Sequence, residues 1–264
     1  MTASESIRIR LLVAYDGTDF HGLAPQPGVA TIGGAVIAAL SKVLQEDIAP
    51  SLVMSGRTDA GVHGWGQVLH FDVAGLPRTG VDGLQRAVNK MVGPAVVVRS
   101  VEVVSPDFDA RFSARWRRYR YLVLTSAVAD PFLSRTVWHV ATQLDLSAMR
   151  LACDPLLGEH NFSSFCRVPK GQLKPSMVRQ VTHAQWLDLG DTQPGLLRFE
   201  IQASSFCHQM VRAIVGLMVD IGRGKRRAGE VLAIIASQDR SASAPIAPPH
   251  GLCLWEVGYD DLDS

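Results

Sequence analysis

Residues Ser55–Phe71 read SGRTDAGVHGWGQVLHF and divide into a loop followed by a strand. The repeated glycines let the backbone turn tightly and approach a ligand closely, which predicts a loop over Gly56–Gly66. The residues after the loop predict a strand over Gln67–Asp72, and a shorter strand is predicted before it at Ser51–Met54. Loops held between strands are a common place for side chains that bind or react.

Asp59 is a carboxylate in this loop that can serve as a nucleophile or a base. Arg57 brings a permanent planar cation, which suits a phosphate or a gap in a base stack. The residues alone also allow plainer interpretations. Asp59 would then cap backbone N–H groups of the turn, Arg57 would pair with a surface acid, and His63 would satisfy a loop carbonyl.

Strands and helices occur in a similar mixture on both sides of residue 106. Alternating apolar residues predict further strands at Ile7–Tyr15, Ala95–Val104, Ala114–Thr125, Val178–Leu189, Gly195–Ala203 and Gly251–Gly258. Helical spacing predicts helices at Thr31–Leu44, Val81–Met91, Leu146–Leu157, Phe206–Ile221 and Ala228–Ala236. Residues 241–249, SASAPIAPP, are interpreted as a linker.

These elements predict an α+β fold with two similar α/β lobes. Residues 1–106 form the N-terminal lobe, with the Asp59 loop, and residues 107–264 form the C-terminal lobe. We expect the lobes to share a mixed, mainly antiparallel sheet with helices on one side and a basic cleft between them.

The composition is that of an ordinary globular protein, with 47% hydrophobic and 19% charged residues. The apolar run Met210–Ile221 is short and carries Arg212 and Asp220, so we expect no membrane span. Met1–Ser6 has no features of a secretory signal.

The cysteines are widely scattered and include no Cys-x-x-Cys pair; they are Cys153, Cys166, Cys207 and Cys253. This pattern predicts buried free thiols in a reducing cytoplasm rather than a disulfide framework. The histidines also lack metal-ligand spacing, so we expect no metal site.

Basic residues cluster although the net charge is only +1. Five arginines and no acid lie within Arg111–Arg120, interleaved with Phe112, Trp116 and Tyr119. Such clustering lets a nearly neutral protein present a basic face to phosphates, although a charge run is often only a solvated surface. In a strand, Tyr119 would share one face with Arg117, and Arg118 would lie on the other.

The helix predicted over Phe206–Ile221 carries His208 and Arg212 four residues apart, which would place them on one face. Its other residues are mainly apolar. Burial of an arginine among them is costly unless an acid pairs with it.

The segment Ser55–Phe71 resembles the signature of the TruA-type tRNA pseudouridine synthases, GRTDAGVH followed by GQV and an HF pair. The resemblance extends over essentially the whole chain. Further matching motifs are YDGT at Tyr15–Thr18, FDARFSA at Phe108–Ala114, RRYRY at Arg117–Tyr121, SFCHQMVRAIVG at Ser205–Gly216, and Gly251-Leu252 with Leu254 in the last strand.

The resemblance implies a role for each matching residue. Asp59 would be the nucleophile, Arg57 would take the place of the flipped base, and Tyr119 would stack on the target uracil. Arg212 would pair with Asp59 and keep its carboxylate ionised. We expect the remaining substrate contacts from His63, Arg111, Arg118 and His208.

The implied activity is conversion of uridine to pseudouridine in the anticodon stem-loop of tRNAs, at positions 38, 39 and 40. This isomerisation needs no redox chemistry or group donor, so we expect no cofactor. The family implies a homodimer, and we expect a cytoplasmic location. The chain departs from the family at Leu23 and Ala24, where Trp and Gln are usual, and at Ala213, commonly polar.

Two other functions are compatible with the residues. A non-catalytic RNA-binding protein would use the arginine and aromatic strand alone. A hydrolase would use Asp59 with His63 or His70 and would need a small-molecule pocket. Whether Asp59 would act at C1′, C6 or C2′ of the nucleoside stays open.

Overall fold

A computed structural model describes residues 6–167 and 176–259. The described strands are β1 (Ile7–Tyr15), β2 (Val53–Met54), β3 (His63–Val73), β4 (Val96–Val104), β5 (Trp116–Leu124), β6 (Trp138–His139), β7 (Gly158–Asn161), β8 (Val178–Asp188), β9 (Leu196–Ala203) and β10 (Leu252–Gly258). The described α-helices are α1 (Ile32–Leu44), α2 (Gly80–Val92), α3 (Leu146–Leu151), α4 (Met210–Gly222) and α5 (Glu230–Ser237).

The chain forms two compact units. The first comprises Met1–Arg115 and Leu254–Ser264, and the second comprises Trp116–Cys253. Most of the last strand therefore belongs to the first unit. The division into an N-terminal lobe, 1–106, with the Asp59 loop and a C-terminal lobe, 107–264, stays a prediction.

In the first unit the strand order is β4-β1-β3-β10. The short strand β2 pairs with Leu69 and His70 of β3. The strand β1 is antiparallel to both of its neighbours, β3 and β4. Its alternate residues Ile9, Leu11 and Val13 are fully buried against α1 and α2 in one core, as the period of two in a strand requires. Thr31 caps α1, because its hydroxyl accepts the N–H of Gly34 at 3.2 Å.

In the second unit the strand order is β5-β9-β8-β7, and these neighbours run antiparallel where their registers are defined. The short strand β6 pairs with β5 in parallel. The helix α4 is buried at every position except Asp220, as expected for a helix that is apolar all round. The mixed, mainly antiparallel α/β class predicted from the sequence is confirmed.

The predicted helices differ from the structure at their ends, most clearly in α3 and α4. The helix α4 begins at Met210 rather than Phe206, because Gln209 adopts a left-handed conformation with φ 65°. The helix α3 ends at Leu151, and a 3₁₀ turn at Asp154–Leu156 with Pro155 follows. The strands β6 and β7 were not predicted; they have only two and four residues, too few to show a period.

The segment 241–249 is not a free linker, as its composition suggested. Ala244 and Ala247 are buried, and the N–H of Ala247 donates to the carbonyl of Arg212 at 3.0 Å. A Cβ at Gly216 would lie 2.0 Å from the carbonyl oxygen of Pro245. Because Gly216 has no side chain, this segment packs directly on the backbone of α4.

The prediction of four free thiols is wrong for one pair. Cys166 and Cys207 form a disulfide with their Cα atoms 5.7 Å apart, and Cys153 and Cys253 are free. Their separation of 41 residues in sequence gave no signal, because tertiary packing brings them together. None of the helices in the described ranges is long and apolar enough to cross a membrane.

Candidate active site

The loop that carries Asp59 is bonded along its length to the segment after β1. The N–H of Leu23 donates to the carbonyl of Thr58 at 3.1 Å, and the N–H of Gly61 donates to the carbonyl of Phe20 at 3.3 Å. The loop is thus held on both sides of Asp59, which lies in the first unit.

Two glycines of the opening motif allow this close approach. A Cβ at Gly17 would lie 2.0 Å from the carbonyl oxygen of Val62. Gly22 has φ 92°, and a Cβ there would lie 2.8 Å from the carbonyl oxygen of Thr58. A side chain at either position would displace the backbone beside Asp59.

His63 joins the end of the loop to the turn after β1. Its ring is buried, and Nδ1 accepts the N–H of Gly17 at 3.1 Å. The same nitrogen lies 3.2 Å from a carboxylate oxygen of Asp16. These contacts show that His63 stabilises the turn after β1. Its contact with substrate stays a prediction.

Asp59 itself is half-buried, and Arg57 two residues earlier is exposed. The carbonyl of Asp59 accepts the N–H of Val62 at 3.2 Å. The start of the loop is fixed by Gln67, whose side chain accepts from the hydroxyl of Ser55 at 2.6 Å and donates to the carbonyl of Gly56 at 3.1 Å. The position of the Asp59 loop is therefore set by backbone hydrogen bonds and by buried polar side chains.

The motif at Phe108–Ala114 is attached to β3. His70 on β3 accepts the N–H of Ala110 through Nδ1 at 2.9 Å. The carboxylate of Asp109 accepts the N–H groups of Arg111 and Phe112, each at 2.8 Å. Burial raises the pKa of Asp109, but these two backbone bonds, together with the charges of His70 and Arg8, leave that pKa below its ordinary value. Arg111 is exposed on this turn.

Tyr119 lies on β5 in the second unit and is half-buried. Its ring meets the ring of Phe206 edge to face, with centroids 5.1 Å apart and an interplanar angle of 86°. Such a contact fixes the plane of the Tyr119 ring. Phe206 is a supporting residue that the sequence did not single out, because only the packing places it on Tyr119.

The arginines of β5 have partners on the neighbouring strand. Arg118 donates to the side-chain oxygen of Gln202 at 3.0 and 2.7 Å. Arg120 lies 2.5 Å from a carboxylate oxygen of Glu200. Desolvation lowers the pKa of Arg120, and Glu200 opposes that shift. The arginine-rich strand therefore has an acid beside it that the local sequence did not reveal.

Arg212 lies in the first turn of α4 and is only 9% exposed. Its Nε donates to the carbonyl of Ala247 at 2.8 Å. His208 is exposed, and its carbonyl accepts the N–H of Arg167 at 3.0 Å. Because α4 begins at Met210, the predicted helical face shared by His208 and Arg212 does not exist.

The predicted site residues thus fall into two groups. The first unit holds Arg57, Asp59, His63 and Arg111, and the second holds Arg118, Tyr119, His208 and Arg212. A cavity of about 360 Å³ in the second unit is lined by other residues, including Arg150 and Trp186. No group of three or more His, Cys, Asp or Glu that could hold a metal occurs among the residues described.

Known proteins resemble this chain over nearly all of its length. A family model described as tRNA pseudouridine synthase matches residues 152–260. A protein of Brevibacillus brevis named tRNA pseudouridine synthase A is 40% identical over 253 residues, covering 96% of this chain and 99% of the relative. Proteins with the same name from Leifsonia xyli and Halalkalibacterium halodurans are 39% and 42% identical, covering 97% and 93% of this chain and 92% and 90% of theirs.

The mixed α/β fold is consistent with the tRNA pseudouridine synthases, the family whose model matches this chain. With this identity over at least nine tenths of this chain and of each relative, the chain belongs to the tRNA pseudouridine synthase A family.

Proposed function

We propose that this protein is an isomerase that converts uridine to pseudouridine in tRNA. The observation that carries the proposal is the GRTDAGVH loop, in which Asp59 is held by backbone bonds from both sides. The family names point to the same reaction. A rigid loop suits a nucleophile, since its position then costs no reorganisation during the reaction.

In this reaction the C1′–N1 bond of uridine breaks, the uracil rotates, and a bond forms between C1′ and C5. The proton lost from C5 is balanced by one gained at N1, so no reductant or cofactor is consumed. The target base lies inside the RNA and must first be flipped into the enzyme. Asp59 attacks the nucleoside, and Arg57 takes the vacated place in the stack.

Tyr119 holds the flipped uracil by stacking on it, a contact that contributes about 1–3 kcal/mol. Its edge-to-face partner Phe206 supports this role, because a fixed ring loses little freedom when the base binds. Arg212 is a further proposed catalytic residue, and its side chain is only 9% exposed and held by the bond from Nε to the carbonyl of Ala247. The contacts to the rest of the RNA come from His63, Arg111, Arg118 and His208.

The proposed substrate is the anticodon stem-loop of tRNAs, at positions 38 to 40, and the proposed active form is a cytoplasmic homodimer. A dimer doubles the basic surface that a chain of net charge +1 offers to phosphates. Phosphate contacts make binding weaker as salt rises.

The test is to incubate the protein with an unmodified tRNA transcript and map pseudouridine along it. Wild type is expected to modify the anticodon arm. Asp59→Asn removes the nucleophile while keeping its size, and no product is expected from it. If the protein only binds RNA, the wild-type protein will form no pseudouridine. If Asp59→Asn forms as much pseudouridine as wild type, Asp59 is not the nucleophile.

A further inference from the structure

The hydroxyl of Tyr15 reaches the catalytic loop from the end of β1. It lies 2.8 Å from Oγ1 of Thr58, the residue before Asp59. Both residues are buried, with exposures of 5% and 7%. Removal of either hydroxyl takes this hydrogen bond away in a place where little water is available to replace it.

The ring of Tyr15 has a fixed place of its own. Tyr15 and Gly64 are cross-strand partners at the irregular end of the β1–β3 pairing. A Cβ at Gly64 would lie 2.5 Å from the Tyr15 ring. The ring therefore rests directly on the backbone of β3, and its hydroxyl is aimed by the sheet rather than by a flexible side chain.

Thr58 is held at two further points. Its carbonyl accepts the N–H of Leu23 at 3.1 Å, and Gly22 lies against the same carbonyl. Leu23 is fully buried in the core of the first unit. Side chain and carbonyl of Thr58 are thus both anchored, and the next residue along the chain is Asp59.

We propose that Tyr15 is a positioning residue for the catalytic loop. Its hydroxyl bond fixes Thr58, and Thr58 fixes the backbone that carries the Asp59 carboxylate. Tyr15 acts without touching the substrate. The inference rests on the proposed function, since it concerns where the nucleophile stands when it attacks.

Positioning has a distinct kinetic consequence. Displacement of a reacting group by about 1 Å can cost roughly 100-fold in rate, while binding by remote contacts is unchanged. Tyr15→Phe keeps the ring and removes only the hydroxyl. We expect single-turnover pseudouridine formation at saturating enzyme to fall about 10- to 100-fold. The Kd for the tRNA should stay within about twofold of wild type.

A second pair of variants tests the other end of the bond. Thr58→Val keeps the shape and removes the hydroxyl, so it should show the same loss as Tyr15→Phe. The double variant should be no slower than the slower single variant, because both single variants remove the same bond between Tyr15 and Thr58. Thr58→Ser keeps a hydroxyl, and its rate should return towards that of wild type.

A matched control separates positioning from stability. Thr125 in the second unit is also buried, and its hydroxyl donates to the carbonyl of Gly195 at 2.9 Å. Thr125→Val should lower the melting temperature about as much as Thr58→Val and leave the rate unchanged.

Several results would overturn the proposal. One is that Tyr15→Phe and Thr58→Val fold and react at the wild-type rate. Another is that a rise in the Kd for tRNA accounts for the whole loss of rate. A third is that Thr125→Val loses as much rate as Thr58→Val. If wild type itself forms no pseudouridine, the proposed function fails instead, so the two failures are distinguishable.

Discussion

Gly216→Ala sets two physical effects against each other inside α4. Alanine is favoured over glycine in a helix interior by about 1 kcal/mol, which would stabilise the protein. The new Cβ, however, would lie 2.0 Å from the carbonyl oxygen of Pro245. Restoring an ordinary contact of 3.4 Å requires a backbone shift of about 1.4 Å.

This shift falls on the segment that bonds Arg212. Ala247 accepts from the Arg212 side chain at 2.8 Å and donates to its carbonyl at 3.0 Å. Overpacking costs about 1–3 kcal/mol, and a buried donor that loses its acceptor costs a further 1–3 kcal/mol or so. The clash therefore exceeds the gain in helix propensity, and we expect a net destabilisation of about 1–5 kcal/mol.

Thermal unfolding followed by circular dichroism measures this change. For a chain of this size, the expected fall in Tm is roughly 2–20 °C. Pseudouridine formation should fall too, since the partner of Arg212 moves. Gly229→Ala is the matched control, because Gly229 has a helical conformation with open space around it. A Gly216→Ala protein that melts at or above wild type would show that segment 241–249 is not fixed on α4.

Other predictions concern charged and titrating groups. Glu200→Gln removes a buried carboxylate that contacts both Arg120 and Arg198, and it should lower the free energy of unfolding, measured in urea, by about 1–3 kcal/mol. Glu102→Gln, at an exposed ion pair, should cost less than about 1 kcal/mol. Equal losses of stability in the two variants would contradict the assignment of Glu200 as buried and Glu102 as exposed. Burial lowers the pKa of His70 below 6.5, so the unfolded chain binds its proton first and stability should fall as pH drops below about 6.5. In a His70→Gln variant the stability should no longer fall in this pH range for this reason. A pH profile of stability that is unchanged from wild type would refute the role of His70.

Local sequence was enough to predict most of the regular structure. The strand Ile7–Tyr15 has the predicted bounds, and α1 begins after the predicted cap Thr31. The loop around Asp59 was predicted from its glycines over Gly56–Gly66, but it ends earlier, because β3 begins at His63. These features depend on side-chain period and backbone freedom within a few residues, which the sequence carries directly.

Contacts between distant parts of the chain were not predictable in this way. The pairing of Arg120 with Glu200 depends on β5 and β9 being neighbours. The disulfide between Cys166 and Cys207, and the packing of segment 241–249 on α4, depend likewise on tertiary packing. Composition favoured free thiols and a linker, because it describes residues without their neighbours.

The loop that carries Asp59 combines both kinds of information. The sequence by itself determined the family motif, the glycine-rich loop and the identity of Asp59 as its acid. Only the tertiary structure decided how that loop is held, through the bond from Tyr15 to Thr58 and the backbone contacts of Gly17 and Gly22. The physical reason is that a motif specifies which groups are present, whereas their positions depend on strands and turns that meet only after folding.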